Sequence, residues 1–223
     1  MPRIARIVVP KYPHHITQRG TNKSEIFIDI DDRSYFLKLL DEGLVKTQSE
    51  LWAYCLMNNH FHLLITPDSS DGLGKCLHGA TFRYAQYFNN KYRRRGRLWE
   101  NRYFSCPVDK NEYLWAVVKY IEMNPVRAKM VKNPEEWRWS SAQKHIKGRD
   151  NKDTKLHEWL EDEERKEYAK MIVEEELHEK IRKATSTGRP LCKGNFLDKL
   201  EKILNRTLKP KKRGRPNKKV VKQ

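Results

Sequence analysis

Two kinds of apolar pattern run along the chain. Short β-type runs open it, from Ile4 to Val9, from His14 to Gln18 before a turn at Gly20-Thr21-Asn22, and from Ile26 to Ile28. Asp31 and Asp32 then start an amphipathic helix through Tyr35, Phe36, Leu39, Leu40 and Leu44, with its acids at the positive end of the dipole. A strand pair follows. Trp52 to Met57 and Phe61 to Thr66 are aromatic and aliphatic, polar Asn58-Asn59 separates them, and Pro67 closes the second run. Asp71-Gly72 leads into a long helix carrying Phe82, Tyr84, Tyr87, Phe88 and Tyr92, and an extended segment spans Arg102 to Val108. The next helix starts near Asn111, with Tyr113, Leu114, Val117, Val118 and Ile121 spaced to bury one face, until Pro125 stops or kinks it.

The pattern changes after about Lys147, where Trp137, Trp139 and Ser140-Ser141 have closed the main unit, residues 1–147. Residues 148–208 read as a helical extension, with apolar positions from Leu156 to Ile181 at roughly helical spacing on a Glu-, Lys- and Arg-rich background. That composition implies solvated helices acting as a connector. Residues 209–223 are a basic, Gly- and Pro-containing tail with too little apolar content to fold alone.

Charge ranks the partners. In 223 residues, 46 Lys and Arg stand against 29 Asp and Glu, a net charge of +17, and such a field favours a polyanion, nucleic acid first. No apolar run approaches the ~20 residues that span a bilayer, so the expectation is a cytoplasmic protein, associated with the nucleoid and not with a membrane. Cys55, Cys76, Cys106 and Cys192 lack paired ligand spacing, which implies free thiols.

Candidate chemistry is concentrated in two short motifs. In His60-Phe61-His62 the imidazoles are two residues apart on a strand, so both project from one face and can meet one ion; the plain reading is two strand histidines with no ligand. Tyr120 and Asn124 are four apart on a helix and share a face, so a phenol and an amide oxygen can meet the same phosphate; the plain reading is a half-buried aromatic and a helix-end residue before Pro125.

Four blocks, in order, decide between these readings. Tyr12-Pro13-His14-His15-Ile16-Thr17-Gln18-Arg19-Gly20, then Trp52 through Asn58-Asn59-His60-Phe61-His62-Leu63-Leu64, then Gly96-Arg97-Leu98-Trp99-Glu100-Asn101-Arg102-Tyr103, and Tyr120-Ile121-Glu122-Met123-Asn124-Pro125-Val126-Arg127-Ala128 resemble those of REP-associated tyrosine transposases over about residues 3 to 146. The resemblance implies an α+β fold, a ferredoxin-like antiparallel sheet with helices (the HUH endonuclease fold), with a helical and basic extension. It implies that His60, His62 and Asn124 hold a divalent Mg²⁺ or Mn²⁺ and that Tyr120 attacks a DNA phosphate, giving a 5′-phosphotyrosine and a free 3′-OH. The substrate implied is single-stranded or hairpin DNA, and the assembly a monomer or homodimer. Asn58 departs from the proline common in that family before Asn-His. Three other readings stay open: a related HUH enzyme of replication initiation or plasmid transfer, a former transposase kept for DNA binding, and a ribosome- or RNA-associated basic protein.

Two basic segments complete the DNA expectation. Arg83, Lys91, Arg93, Arg94, Arg95, Arg97 and Arg102 interleave with Tyr84, Tyr87, Phe88, Tyr92 and Trp99, as in a groove where cations follow phosphates and rings stack on bases; core aromatics under a solvated charged face are the other reading, and both are expected in part, with the Arg93 to Arg97 turn on DNA. In the tail, Arg213-Gly214-Arg215-Pro216 resembles the AT-hook core that lies in an A·T-rich minor groove; a generic basic tail is the other reading.

Overall fold

A computed structural model of the chain describes residues 6–149 and 154–209. Local chemistry sets most element ends. Asp29 caps the first helix, α1 (Ile30–Lys46), by accepting the Asp32 N–H at 3.0 Å while the Asp32 carboxylate accepts the Asp29 N–H at 3.3 Å. Asp109 caps α3 (Lys110–Glu122) by accepting the Asn111 N–H. Between them lie β2 (Glu50–Leu56), β3 (His60–Thr66), α2 (Gly72–Lys91) and β4 (Phe104–Pro107), with β1 (His14–Arg19) ahead of α1.

The strands form one sheet in the order β2-β3-β1-β4, and each pairing is antiparallel. With α1 joining β1 to β2 and α2 joining β3 to β4, this is the βαββαβ ferredoxin-like arrangement. Alternation along the strands divides the core in two. Phe61, Leu63 and Ile65 of β3 pack with Phe36, Leu40, Leu77 and Tyr84 under α1 and α2. Cys55, Leu64 and Cys106 face the other way, against Val117 and Ile121 of α3.

After α3 the chain runs through α4 (Asn124–Arg127), α5 (Ala142–Lys147), α6 (Asp162–Lys170), α7 (Glu175–Thr187) and α8 (Gly194–Leu204). Here the expected solvated connector is corrected. Tyr168 of α6 and Ile181, Ala184 and Thr185 of α7 are buried, and α7 packs on β4 and β1, because its narrow apolar stripe covers the sheet face that α3 leaves open. Gly188, at φ +70°, ends α7. Leu191 then ties back to the end of β4, its N–H donating to Pro107 O at 2.8 Å and its carbonyl accepting from Asp109 N–H at 3.0 Å.

Two expected strands are absent among the described residues. From Arg6 to Val9 there is no strand, and the Val9 N–H donates to His14 Nε2 at 3.1 Å instead of to a ladder. Ile26 and Phe27 both donate to the Asn58 carbonyl, at 2.8 and 3.0 Å, so their apolar side chains fill the core from an irregular segment. The extended run expected over Arg102 to Val108 narrows to β4. All four cysteines are free, and Cys55, Cys76 and Cys106 are buried. No helix among the described residues is long and apolar enough to cross a membrane.

Candidate active site

His60 and His62 sit on one face of β3, ring centroids 5.1 Å apart, while Phe61 points into the opposite core. α3 crosses that face and places Tyr120 edge-on to His62, with centroids 5.8 Å apart. The three residues line one cavity of about 550 Å³ together with Asn124, Arg102, His15, Arg182 and Thr185. Strand alternation and the helix register thus bring both sequence motifs into a single site.

Asn124 and Pro125 form a local device. Proline has no N–H, so it cannot bond the Ile121 carbonyl as the helix requires. The Asn124 side-chain N–H group takes over, donating to Ile121 O at 3.0 Å and to Tyr120 O at 3.1 Å. With the amide nitrogen committed to the helix end, Oδ1 is left for the cavity. Arg127 also donates to Tyr120 O, at 2.8 Å, and its guanidinium lies 4.5 Å from the Tyr120 ring centroid.

Hydrogen bonds also orient the imidazoles. The Asn59 amide nitrogen donates to Lys23 O, so its oxygen accepts from His60 Nδ1–H at 2.6 Å and His60 Nε2 keeps its lone pair. His62 Nδ1 lies 3.0 Å from His15 Nε2, leaving His62 Nε2 on the cavity side of that contact. Burial keeps these rings neutral. It holds His60 at about 4, aided by the nearby Arg19 charge, and His15 at about 3; burial and then the neighbouring His60 and His15 hold His62 well below the usual histidine range.

Two neutral imidazole nitrogens and one amide oxygen form a mixed nitrogen and oxygen set that a divalent cation accepts. The donors fit such an ion chemically: His60 Nε2 and Asn124 Oδ1 present lone pairs not used by the fold, and His62 Nε2 lies on the cavity side of its contact with His15. Among the described residues no group of three or more His, Cys, Asp or Glu is placed to hold a metal.

The remaining expected DNA residues divide. Arg102 lines the cavity. Arg83 is ion-paired with Glu42 across α1 and α2, away from the cavity. Arg94 stacks over Phe88 at 5.4 Å, and Arg93, Arg95 and Arg97 are exposed in the segment after α2. The interleaved aromatics belong to the core reading: Tyr84 and Phe88 are fully buried, Tyr87 and Tyr92 donate to Asp32, and the Trp99 indole donates to Thr81 O. Arg213, Gly214, Arg215 and Pro216 lie outside the described residues. Sequence reading passed over His15, Arg182 and Thr185. His15 looks like any strand histidine, and the other two belong to a helix whose composition signals solvent; only the sheet register and the packing of α7 bring them in.

The sheet order and this site define a ferredoxin-like domain with a histidine pair beside a helix-borne tyrosine. The fold is shared with a solved structure of a REP-associated tyrosine transposase bound to a REP hairpin, at TM-score 0.56 and 16% identity over 72% of this chain and 99% of that chain. A second solved structure, named for a transposase of Deinococcus radiodurans R1, matches at TM-score 0.38 and 20% identity over 53% of this chain and 93% of that one. No curated protein matches. Residues 8–124 match the family model for IS200-like transposases, more than half of the chain, and the chain belongs to that family.

Proposed function

We propose that the protein is a metal-dependent endonuclease and strand transferase acting on single-stranded DNA near hairpins, with Tyr120 as nucleophile. The observation that carries this reading is the meeting of Tyr120, His60, His62 and the Asn124 oxygen at one cavity, built by one chain. The solved relative with a bound REP hairpin supports the choice of substrate class.

His60, His62 and Asn124 Oδ1 would hold a divalent cation, Mg²⁺ or Mn²⁺, which when bound would supply Lewis-acid polarisation of the scissile phosphate. The chain's own residues do the rest. α3 holds the Tyr120 phenol edge-on to the His62 ring, so that its oxygen attacks phosphorus as the phenolic proton leaves to water. The new bond joins Tyr120 Oη to phosphorus, the P–O3′ bond breaks, and the 3′ oxygen takes a proton, giving a 5′-phosphotyrosine and a 3′-OH. The tyrosyl ester conserves the bond energy, and a 3′-OH that attacks it rejoins strands without ATP. Arg102, and the exposed Arg93, Arg95 and Arg97, supply cations for the DNA backbone.

The test is a denaturing gel of protein incubated with labelled single-stranded hairpin oligonucleotides and Mn²⁺ or EDTA. A covalent band that needs Mn²⁺ and is abolished by Tyr120→Phe and by His62→Ala is expected. Salt-sensitive binding without any such band favours a DNA-binding protein that has lost the chemistry.

A further inference from the structure

We propose that α7, which lies beyond the family-matching segment, belongs to the active site: Thr185 acts through His15 to hold His62 in the tautomer that turns a bare Nε2 lone pair to the cavity. The inference rests on the reading of His62 as a metal ligand.

One chain of hydrogen bonds fixes where the protons lie. Thr185 has a single hydroxyl proton; donated to Ile181 O at 2.9 Å within α7, it leaves the oxygen to accept from its other two neighbours, the Cys106 S–H at 3.4 Å and His15. The Thr185 oxygen, 2.7 Å from His15 Nδ1, is therefore the acceptor of that contact, and His15 carries its proton on Nδ1. In a neutral imidazole the other nitrogen is then bare, so His15 Nε2 accepts, and the 3.0 Å contact with His62 Nδ1 is filled by His62 Nδ1–H. His62 Nε2 is left unprotonated. The free imidazole ring has no such constraint, so here the protein selects the state.

Burial makes the selection firm. His15 is 1% exposed, Thr185 2% and His62 6%, so water has little access with which to relieve a broken link. The two imidazoles are also near-parallel, with an interplanar angle of 5°, which locks their orientation as a pair. The register of the sheet produces the contact: His15 pairs with Leu64 and Thr17 with His62, which sets the two rings diagonally on one face under α7. Thr185 is accordingly a positioning residue, and it links the C-terminal helices to the metal-binding face. Such outer-shell partners commonly change metal affinity by about 10–100-fold.

The test uses the full chain, metal-free, with ¹⁵N-labelled histidine. Long-range ¹H–¹⁵N spectra report which ring nitrogen bears the proton, and calorimetric titration with Mn²⁺ alone reports affinity. In the native protein His15 and His62 are expected as Nδ1–H tautomers. Thr185→Val removes the acceptor at nearly constant volume; His62 is expected to shift toward Nε2–H and Mn²⁺ affinity to fall at least about tenfold, and Thr185→Ser is expected to restore both. His62 found as Nε2–H in the native protein overturns the proposal whether or not the valine variant folds, as does a Thr185→Val protein with unchanged tautomers. The expected tautomer shift in a protein that never binds Mn²⁺ supports the relay and overturns the metal-site reading.

Discussion

Asn58 shows how a single departure from a family pattern is absorbed. Where a proline would stiffen the turn before His60, Asn58 ties it down with hydrogen bonds: its Oδ1 accepts from Arg33 Nη2 at 2.7 Å and its amide nitrogen donates to Glu25 at 3.2 Å. Arg33 is 6% exposed, so Asn58→Ala strands a buried guanidinium donor, and a loss of about 2 kcal/mol in urea unfolding is expected; an unchanged midpoint would count against that role. His14 gives a second residue-scale prediction. Burial lowers it to about 4, and its neutral ring accepts from Val9 N–H on Nε2 while Nδ1 contacts Tyr12 O at 2.8 Å. The unfolded chain protonates near pH 6.5 and the folded ring only near 4, so the stability it contributes is full above 6.5 and is lost as pH falls from 6.5 to 4. The loss amounts to about 3 kcal/mol, and the His14 ring resonances should show no titration above pH 5.

The helix that carries Tyr120 is also anchored from behind. Two residues on, Glu122 is fully buried and accepts from Ser141 Oγ at 2.6 Å, His145 Nδ1 at 2.6 Å and Tyr168 OH at 2.7 Å, while the Trp159 indole fills His145 Nε2 at 3.0 Å. One carboxylate thus joins α3 to α5, α6 and the segment between them. Glu122→Ala should cost about 3–5 kcal/mol by leaving these donors unpaired, and thermal unfolding that barely moves would refute the anchor. None of this was visible in the linear pattern, because Glu122 reads as an ordinary helix acid. What the pattern did carry was local. β1, β2, β3 and the helices α1, α2 and α3 follow from β-type runs, apolar period and caps; two-residue and four-residue spacings put His60 with His62 and Tyr120 with Asn124, and their metal and nucleophile roles are what the family resemblance implies. Ile26-Phe27 has strand composition without a strand because the Asn58 carbonyl takes both N–H groups. α7 has a solvated composition and a buried stripe because four residues, His178, Ile181, Ala184 and Thr185, suffice to cover a sheet face. Both outcomes are set by tertiary partners far away in the sequence.

At the scale of the molecule, one chain supplies the candidate nucleophile and metal-holding groups: β3 gives His60 and His62, α3 gives Tyr120, the α3–α4 junction gives Asn124, and α7 packs beside them. The proposed site, drawn from one chain, predicts that Tyr120→Phe and His62→Ala proteins, each inactive, stay inactive when mixed; a covalent band recovered in the mixture would mean that two chains share a site. The net charge of +17 and the exposed arginines after α2 fit a polyanionic substrate, and the family assignment fits strand transfer. The most direct measurement of the central claim is mass spectrometry of the peptide that holds DNA after incubation with a single-stranded hairpin oligonucleotide and Mn²⁺. The account predicts a nucleotide joined through its 5′ phosphate to Tyr120, in the peptide that also contains Asn124. A nucleotide attached to any other residue, or cleaved DNA with no attached nucleotide at all, would contradict it.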